Sequence, residues 1–259
     1  MSLTEPEQVD FASGEVVAMT HASPIKLPNG NEDAIGVFGV RPSGGVLAVA
    51  DGVGGQPAGA NAAKSTLEGI WDAALAADPE RPLRSAILDG VEAANQALLS
   101  LGSGSATTLV AAEIEGRRLR PYHAGDSALL VVGGRGRIKH QTVPHSPVGY
   151  AVEAGLIDED EAMRHDLRHV ISNAVGTSDM RIEIGPSVQL APRDTVVLAS
   201  DGVLDNIPLG ELVELVRSGP LLATAREIWA ECQRRMINPN GNTPSKKDDL
   251  ALVLYRPAR

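Results

Sequence analysis

The chain has 259 residues, 43% of them hydrophobic but only 3% aromatic, so its core must be built from Val, Leu, Ile and Ala. A net charge of −10 repels nucleic acid and anionic membrane surfaces, which excludes both as expected partners. The one cysteine, Cys232, rules out an internal disulfide and a Cys-rich zinc site and is expected to be a buried structural thiol.

The first ten or so residues are polar and are expected to be loose; they carry neither the basic start nor the apolar stretch of a signal peptide. No apolar run approaches the ~20 residues that a membrane helix needs, so a cytoplasmic protein is expected. Short β-rich runs follow: EVVAMTH, AIGVFGV and GVLAVA. Two helices are predicted next, from about Ala60 to Ala77 and from Leu83 to Leu101. Leu83, Ile87, Val91, Ala94 and Leu98 share one face of the second, and Gly102 ends it. The middle of the chain returns to strands: SATTLVAAEIE, RRLRPYHAG, SALLVVG and GRIKHQTV, with Gly-bearing turns between them. A polar, helix-leaning insert spans about 145–179. Then come the strands IEIGPSVQL and DTVVLAS, a second helix pair over about Leu209–Arg217 and Leu221–Met236, a polar loop, and a last strand, LALVLYR. Strands joined by tight turns favour antiparallel pairing over βαβ units. The predicted fold is α+β: a four-layer α-β-β-α sandwich, two stacked antiparallel sheets with a helix pair on each outer side, over a single domain 1–259.

Two segments look alike. VLAVADGVGG holds Asp51-Gly52 and VVLASDGVLD holds Asp201-Gly202; in each, a buried apolar run ends in Asp-Gly. One Asp-Gly is ordinarily a turn, but here the strand anchors a carboxylate and the glycine lets the backbone bend or approach a ligand. Asp248-Asp249 precedes the last strand, Glu32-Asp33 precedes AIGVF, and Asp126 sits between two strands in HAGDSALLVV. If the last strand runs antiparallel to those ending at Asp51 and Asp201, the carboxylates reach one edge of the sheets. Carboxylates so gathered repel unless cations neutralise them. Oxygen-only ligands favour Mg²⁺ or Mn²⁺, and two such ions ~3.5–4 Å apart can activate a water and clamp a phosphoryl group.

These motifs resemble the metal-dependent type 2C (PPM) Ser/Thr protein phosphatases in their bacterial form. The resemblance runs over nearly the whole chain in order: NEDA, AVADGVGG, SATTLVAA, HAGDSALLV, PHSPVGYAVEAGLIDEDEA with HDLRHVISNAVG, VLASDGVLDN and KKDDLALVL. It implies hydrolysis of phosphoserine and phosphothreonine on proteins by a metal-activated water. Two Mn²⁺ or Mg²⁺ ions are implied per site, with a weaker third. By the resemblance Asp51 bridges the two metals, the Gly52 carbonyl helps bind the second, and Asp201 and Asp248 complete the first; these three aspartates are the implied catalytic set. Asp248 is preferred to Asp249 because the latter falls on the family's Asn. Asp33 and Glu32 match the acidic pair near the second metal, Glu32 acting from behind the ligands, and Asp126 matches the aspartate of the third. The 145–179 insert resembles a flap beside the active site.

The family's phosphate-holding Arg is replaced by Pro28, which leaves Lys26 as the nearest base for the phosphate; lysine is a point charge without arginine's bidentate fork. The family's GDSR also loses its Arg, to Ala128. His165 and His169, four apart, are expected to be flap histidines, and His145 is expected to be structural at the flap's base. The implied partners are a phosphorylated protein substrate and a cognate Ser/Thr kinase, the protein itself being a monomer. The alternative is a catalytically weak, phosphatase-like binding module.

Overall fold

The computed structural model describes residues 3–24, 30–53, 58–78, 80, 82–239 and 243–258. Lys26 and Pro28 lie outside the described residues. The chain opens with strands β1 (Leu3–Phe11), β2 (Gly14–His21), β3 (Asp33–Arg41) and β4 (Gly44–Val53), then helices α1 (Ala58–Ala76) and α2 (Leu83–Leu101). Strands β5 (Ala106–Thr107), β6 (Leu109–Glu115), β7 (Arg118–Ala124), β8 (Ala128–Val132) and β9 (Ile138–Gln141) follow. The insert forms two short helices, α3 (Pro147–Glu153) and α4 (Glu159–Ala162). The remainder is β10 (Glu183–Ile184), β11 (Val188–Gln189), β12 (Thr195–Ala199), α5 (Asp201–Leu204), α6 (Leu209–Val216), α7 (Leu221–Ile237) and β13 (Leu250–Pro257).

All strand pairs are antiparallel. One sheet runs β1-β2-β13-β12-β8-β9; the other runs β10-β7-β6-β4-β3, with β11 on β7 and β5 on β4. Central strands are apolar on both faces because each sheet is covered on both sides. On β13, Leu250, Leu252 and Leu254 face α6 and α7, while Ala251, Val253 and Tyr255 face the other sheet. On β4, Leu47 and Val49 face the inter-sheet core, and Val46, Ala48 and Ala50 pack under α1 and α2. Three apolar layers therefore separate four layers of structure, in the order α-β-β-α.

One local expectation changes. The N-terminal segment expected to be loose is instead the edge strand β1. Phe11 is its anchor: it is buried between the sheets and meets the Tyr255 ring edge-on, with centroids 6.0 Å apart. The run that begins at the second Asp-Gly is the short helix α5, whose first residue is Asp201.

Two tertiary contacts set the ends of the strands that carry acids. Arg235 on α7 is buried, and its guanidinium donates to the Asn206 carbonyl, both carboxylate oxygens of Glu211 and one of Glu231. It thereby ties α5 and α6 to α7. Gly202 lies so close to the start of β13 that a Cβ there would stand 1.7 Å from the Asp249 carbonyl oxygen; only glycine permits the Asp201 and Asp248 segments to touch. Burial in α7 also pushes the Cys232 thiol up to about 12, the state of an inert core residue.

Removing the Arg235 guanidinium leaves the buried Asn206 carbonyl and the Glu211 carboxylate without their donor, so Arg235→Ala should lower unfolding free energy by about 1–3 kcal/mol in urea denaturation, with Arg235→Lys intermediate. Gly202→Ala should cost at least about 2 kcal/mol in the same measurement, because two backbone segments must part; an unchanged midpoint would contradict the contact.

Candidate metal centre

Each acid is positioned by backbone that has little freedom. Asp51 stands in β4 directly opposite Asp33 in β3. Its carbonyl accepts from the Thr108 N–H and the Thr107 hydroxyl, both at 2.8 Å, and its own N–H donates to Thr108 Oγ1. Thr108 Oγ1 in turn lies 2.7 Å from the Ser127 hydroxyl, next to Asp126, so the Asp51 and Asp126 turns are linked. Gly52 donates to the Glu32 carbonyl, and a Cβ at Gly52 would lie 2.3 Å from the Gly59 backbone at the start of α1. Only a glycine there lets α1 press against the Asp51 strand.

Asp33 is buried and accepts from the Ser200 hydroxyl at 2.6 Å, while the Ser200 oxygen accepts from the Ala251 N–H. The residue before Asp201 thus joins the two sheets. Asp249 is also buried, and its two carboxylate oxygens accept from the backbone N–H groups of Ser23 and Glu32. It holds the approach to β3, while Asp248, half-buried at the cluster, accepts from the Asp249 N–H through Oδ1 and pairs with Lys246 through Oδ2.

A cleft of about 250 Å³ is lined by Glu32, Asp51, Gly52, Asp126, Asp201, Asp248 and Asp249, together with His169 and Ile171 of the insert. Asp33 adjoins it through Asp51. Of the residues singled out in the sequence, these come together; His165 does not line the cleft. His145 is buried away from it, its Nδ1 accepting from the Gly125 N–H and from Asn173, its own N–H donating to the Gly125 carbonyl and its carbonyl accepting from Ser172. The base and the far end of the insert are pinned there to the turn that carries Asp126.

Two participants escaped the sequence reading. Asp205 caps the C-terminal end of α5, one turn after Asp201, with its N–H on the Asp201 carbonyl at 2.7 Å. Lys246 reaches into the cluster: its ammonium pairs with Asp201 Oδ2, with Asp248 Oδ2 at 3.0 Å and with Asp205 Oδ2 at 3.4 Å. The i, i+4 spacing of Asp201 and Asp205 was readable, but it needed α5 to be recognised as helix. Nothing local marks Lys246, whose neighbour Lys247 is exposed.

The electrostatics are those of acids crowded together out of water. Burial pushes Asp33 up to about 7, against the Ser200 hydrogen bond and with help from Asp249 and Asp248. Burial likewise pushes Asp126 up to about 6, with Lys246 opposing and Asp205 adding to the rise. Asp51 is raised well above the carboxylate range by burial and then by Asp33 and Asp201; Asp201 is raised by burial despite Lys246. Burial alone would pull the Lys246 ammonium down, but Asp201, Asp205 and Asp248 hold it raised. The donor set fits hard divalent cations: it is all oxygen, and the buried Asp201 Oδ1 accepts no hydrogen bond from the described residues. A cation already stands among the acids, in the form of Lys246.

A second grouping, His123, His145 and Glu183, has ligand atoms within 4.8 Å of one another but suits a metal poorly. The Gly125 N–H and the Asn173 amide both meet His145 Nδ1, so the ring proton sits on Nε2, where it faces Glu183 at 3.2 Å. That nitrogen has no lone pair to give.

The sequence profile described as protein phosphatase 2C matches residues 25–239. A phosphatase 2C-type protein of Streptococcus pyogenes is 30% identical over 196 residues, covering 73% of this chain and 79% of that one. The serine/threonine phosphatase stp of Listeria monocytogenes is 25% identical over 214 residues, covering 79% and 84%. Among solved structures, the fold is shared with the serine/threonine phosphatase Stp1 of Staphylococcus aureus, at a TM-score of 0.81 and 23% identity over 96% of this chain and 98% of that one. With its profile match over most of its length, its shared fold and its cleft of carboxylates, this chain belongs to the protein phosphatase 2C family, the metal-dependent protein phosphatases.

Proposed function

We propose that this phosphatase removes phosphate from phosphoserine and phosphothreonine in proteins, with two divalent cations, Mn²⁺ or Mg²⁺, held at the acidic cleft. Asp51 is proposed to hold both ions, Asp201 and Asp248 the first, and the Gly52 carbonyl and Asp33 the second; Glu32 supports the second from behind, and Asp126 serves a weaker third. The observation that carries this reading is the meeting of Asp51, Asp126, Asp201 and Asp248 in one cleft, with Asp33 alongside. Such ions, when bound, activate a water and neutralise the phosphoryl oxygens.

The protein's own part is positioning. Paired strands, the Asp249 and Ser200 hydrogen bonds and the Gly202 contact hold the acids in place without substrate. Residues 1–259 are proposed to act as one catalytic unit, with residues 145–179 as the flap that meets the substrate protein. His169 and Ile171 of that segment line the cleft. Phosphoprotein substrates imply a kinase that supplies them, and the reading needs no second copy of the chain. No described helix is long and apolar enough to cross a membrane; a cytoplasmic location is part of the proposal. A manganese-bound structure of the catalytic domain of the serine/threonine phosphatase PstP, of the same fold at a TM-score of 0.73, supports manganese as the first ion to try.

Hydrolysis of p-nitrophenyl phosphate should require Mn²⁺ and vanish with excess EDTA. Asp201→Asn and Asp51→Ala should each lower kcat/KM by roughly 100-fold or more, since each removes a charge that only the loaded site compensates. Turnover that survives chelation would refute the reading. No Mn²⁺-dependent turnover on this substrate or on a phosphopeptide would favour the binding module instead.

A further inference from the structure

Lys246 is not a loose surface lysine. Its N–H donates to Asn206 Oδ1 at 3.0 Å and its carbonyl accepts from Asn206 Nδ2 at 2.9 Å, so both ends of one fully buried amide grip its backbone. The Asn206 amide also donates to the Gly202 carbonyl, and the Asn206 carbonyl is held by Arg235. On its other side, Ser245 donates to the Arg235 carbonyl and accepts from Arg168 of the insert. The backbone of residue 246 is therefore fixed relative to α5, and only its flexible side chain is free to leave. That side chain points an ammonium with three N–H donors at three carboxylates, those of Asp201, Asp205 and Asp248.

Two of those acids, Asp201 and Asp248, are the proposed ligands of the first metal. The ammonium holds Asp201 Oδ2 and Asp248 Oδ2, and a divalent cation bound by the same two carboxylates would stand at contact distance from it, where the two positive charges repel. We propose that Lys246 is a tethered counter-cation that occupies the first metal's place when that metal is absent, so that metal binding there is an exchange of ammonium for divalent ion. This rests on the reading of the cleft as the metal site. The lysine keeps its proton throughout; it is displaced into the cleft, not titrated. Two consequences follow from one cause. The metal-free protein keeps its buried acids compensated and stays folded, and the first metal must displace an internal competitor, so its apparent affinity is lower than the ligand set alone would give. The tether makes the competitor's effective concentration high and independent of the medium.

The test is calorimetric titration of Mn²⁺ into the full, EDTA-stripped and dialysed chain, for wild type, Lys246→Met and Lys246→Arg. The proposal expects Lys246→Met to bind the first Mn²⁺ about tenfold or more tightly, a charge-assisted contact being lost from the metal-free side only. Its metal-free melting temperature should fall while the rise on adding Mn²⁺ grows; Lys246→Arg, which keeps a cation, should bind more weakly than Lys246→Met. Amine acetylation of the wild type, followed by mass spectrometry, gives a readout that needs no variant to fold: Lys246 should be protected without metal and become reactive with Mn²⁺. Equal or weaker Mn²⁺ binding by Lys246→Met, or acetylation that ignores the metal, would overturn the proposal and leave the metal site standing. A wild type that binds no Mn²⁺ would overturn both.

Discussion

Carboxylates brought out of water beside one another are the constraint around which this molecule is organised. Asp33 and Asp51 face each other across a strand pair, and Asp126, Asp201, Asp205 and Asp248 crowd the same end of the sandwich. Burial and mutual repulsion both favour the protonated acids, which is why Asp33 and Asp126 are pushed up to about 7 and about 6. A site in this condition is poised for positive charge. The two apolar sheets supply the force that assembles it: burial of both faces of β4, β12 and β13 far outweighs the local cost of the acids at their ends.

Around the acids lies a set of polar contacts whose job is position. Asp249, the residue immediately before β13, accepts from two backbone N–H groups and holds the approach to β3. Ser200 bridges one sheet to the other through Asp33 and Ala251. Thr107 and Thr108 fix the Asp51 peptide, and the Thr108–Ser127 contact carries that rigidity to the Asp126 turn. Asn206 and Arg235 do the same for the loop bearing Lys246. Each acid that points into the cleft thus has a neighbour that points away and anchors the backbone, and such preorganisation is what electrostatic catalysis needs.

The insert is joined to this frame at its two ends rather than along its length. His145 ties its beginning to Gly125, and Asn173 grips both His145 and the Arg181 backbone near its end. Between these points α3 and α4 are short, and residues 164–169 are largely exposed. Between those ends the segment meets the body through Arg168 on the Ser245 carbonyl and through Arg181 on the Tyr150 hydroxyl.

Sequence alone determined the layers and the acids that converge. The all-apolar runs of β4, β12 and β13 require cover on both faces, and helix periodicity supplied the cover, so the α-β-β-α order was legible from local pattern. Repeated Asp-Gly after buried runs marked Asp51 and Asp201, because a strand's end is where a side chain is both anchored and reachable. What Asp249 does instead needed the backbone N–H groups of Ser23 and Glu32, more than two hundred residues away in sequence. The strand at Leu3–Phe11 depended on a place for Phe11 beside Tyr255, which its polar neighbours do not announce. Lys246 is beyond any local signal: in sequence it is one of two adjacent lysines, and only the fold, by locking its backbone to Asn206, turns it toward three carboxylates while Lys247 faces solvent. Periodicity and strand ends are properties of neighbours along the chain, whereas the pairing of charges is a property of distance in space, and that distance exists only once the sheets have stacked.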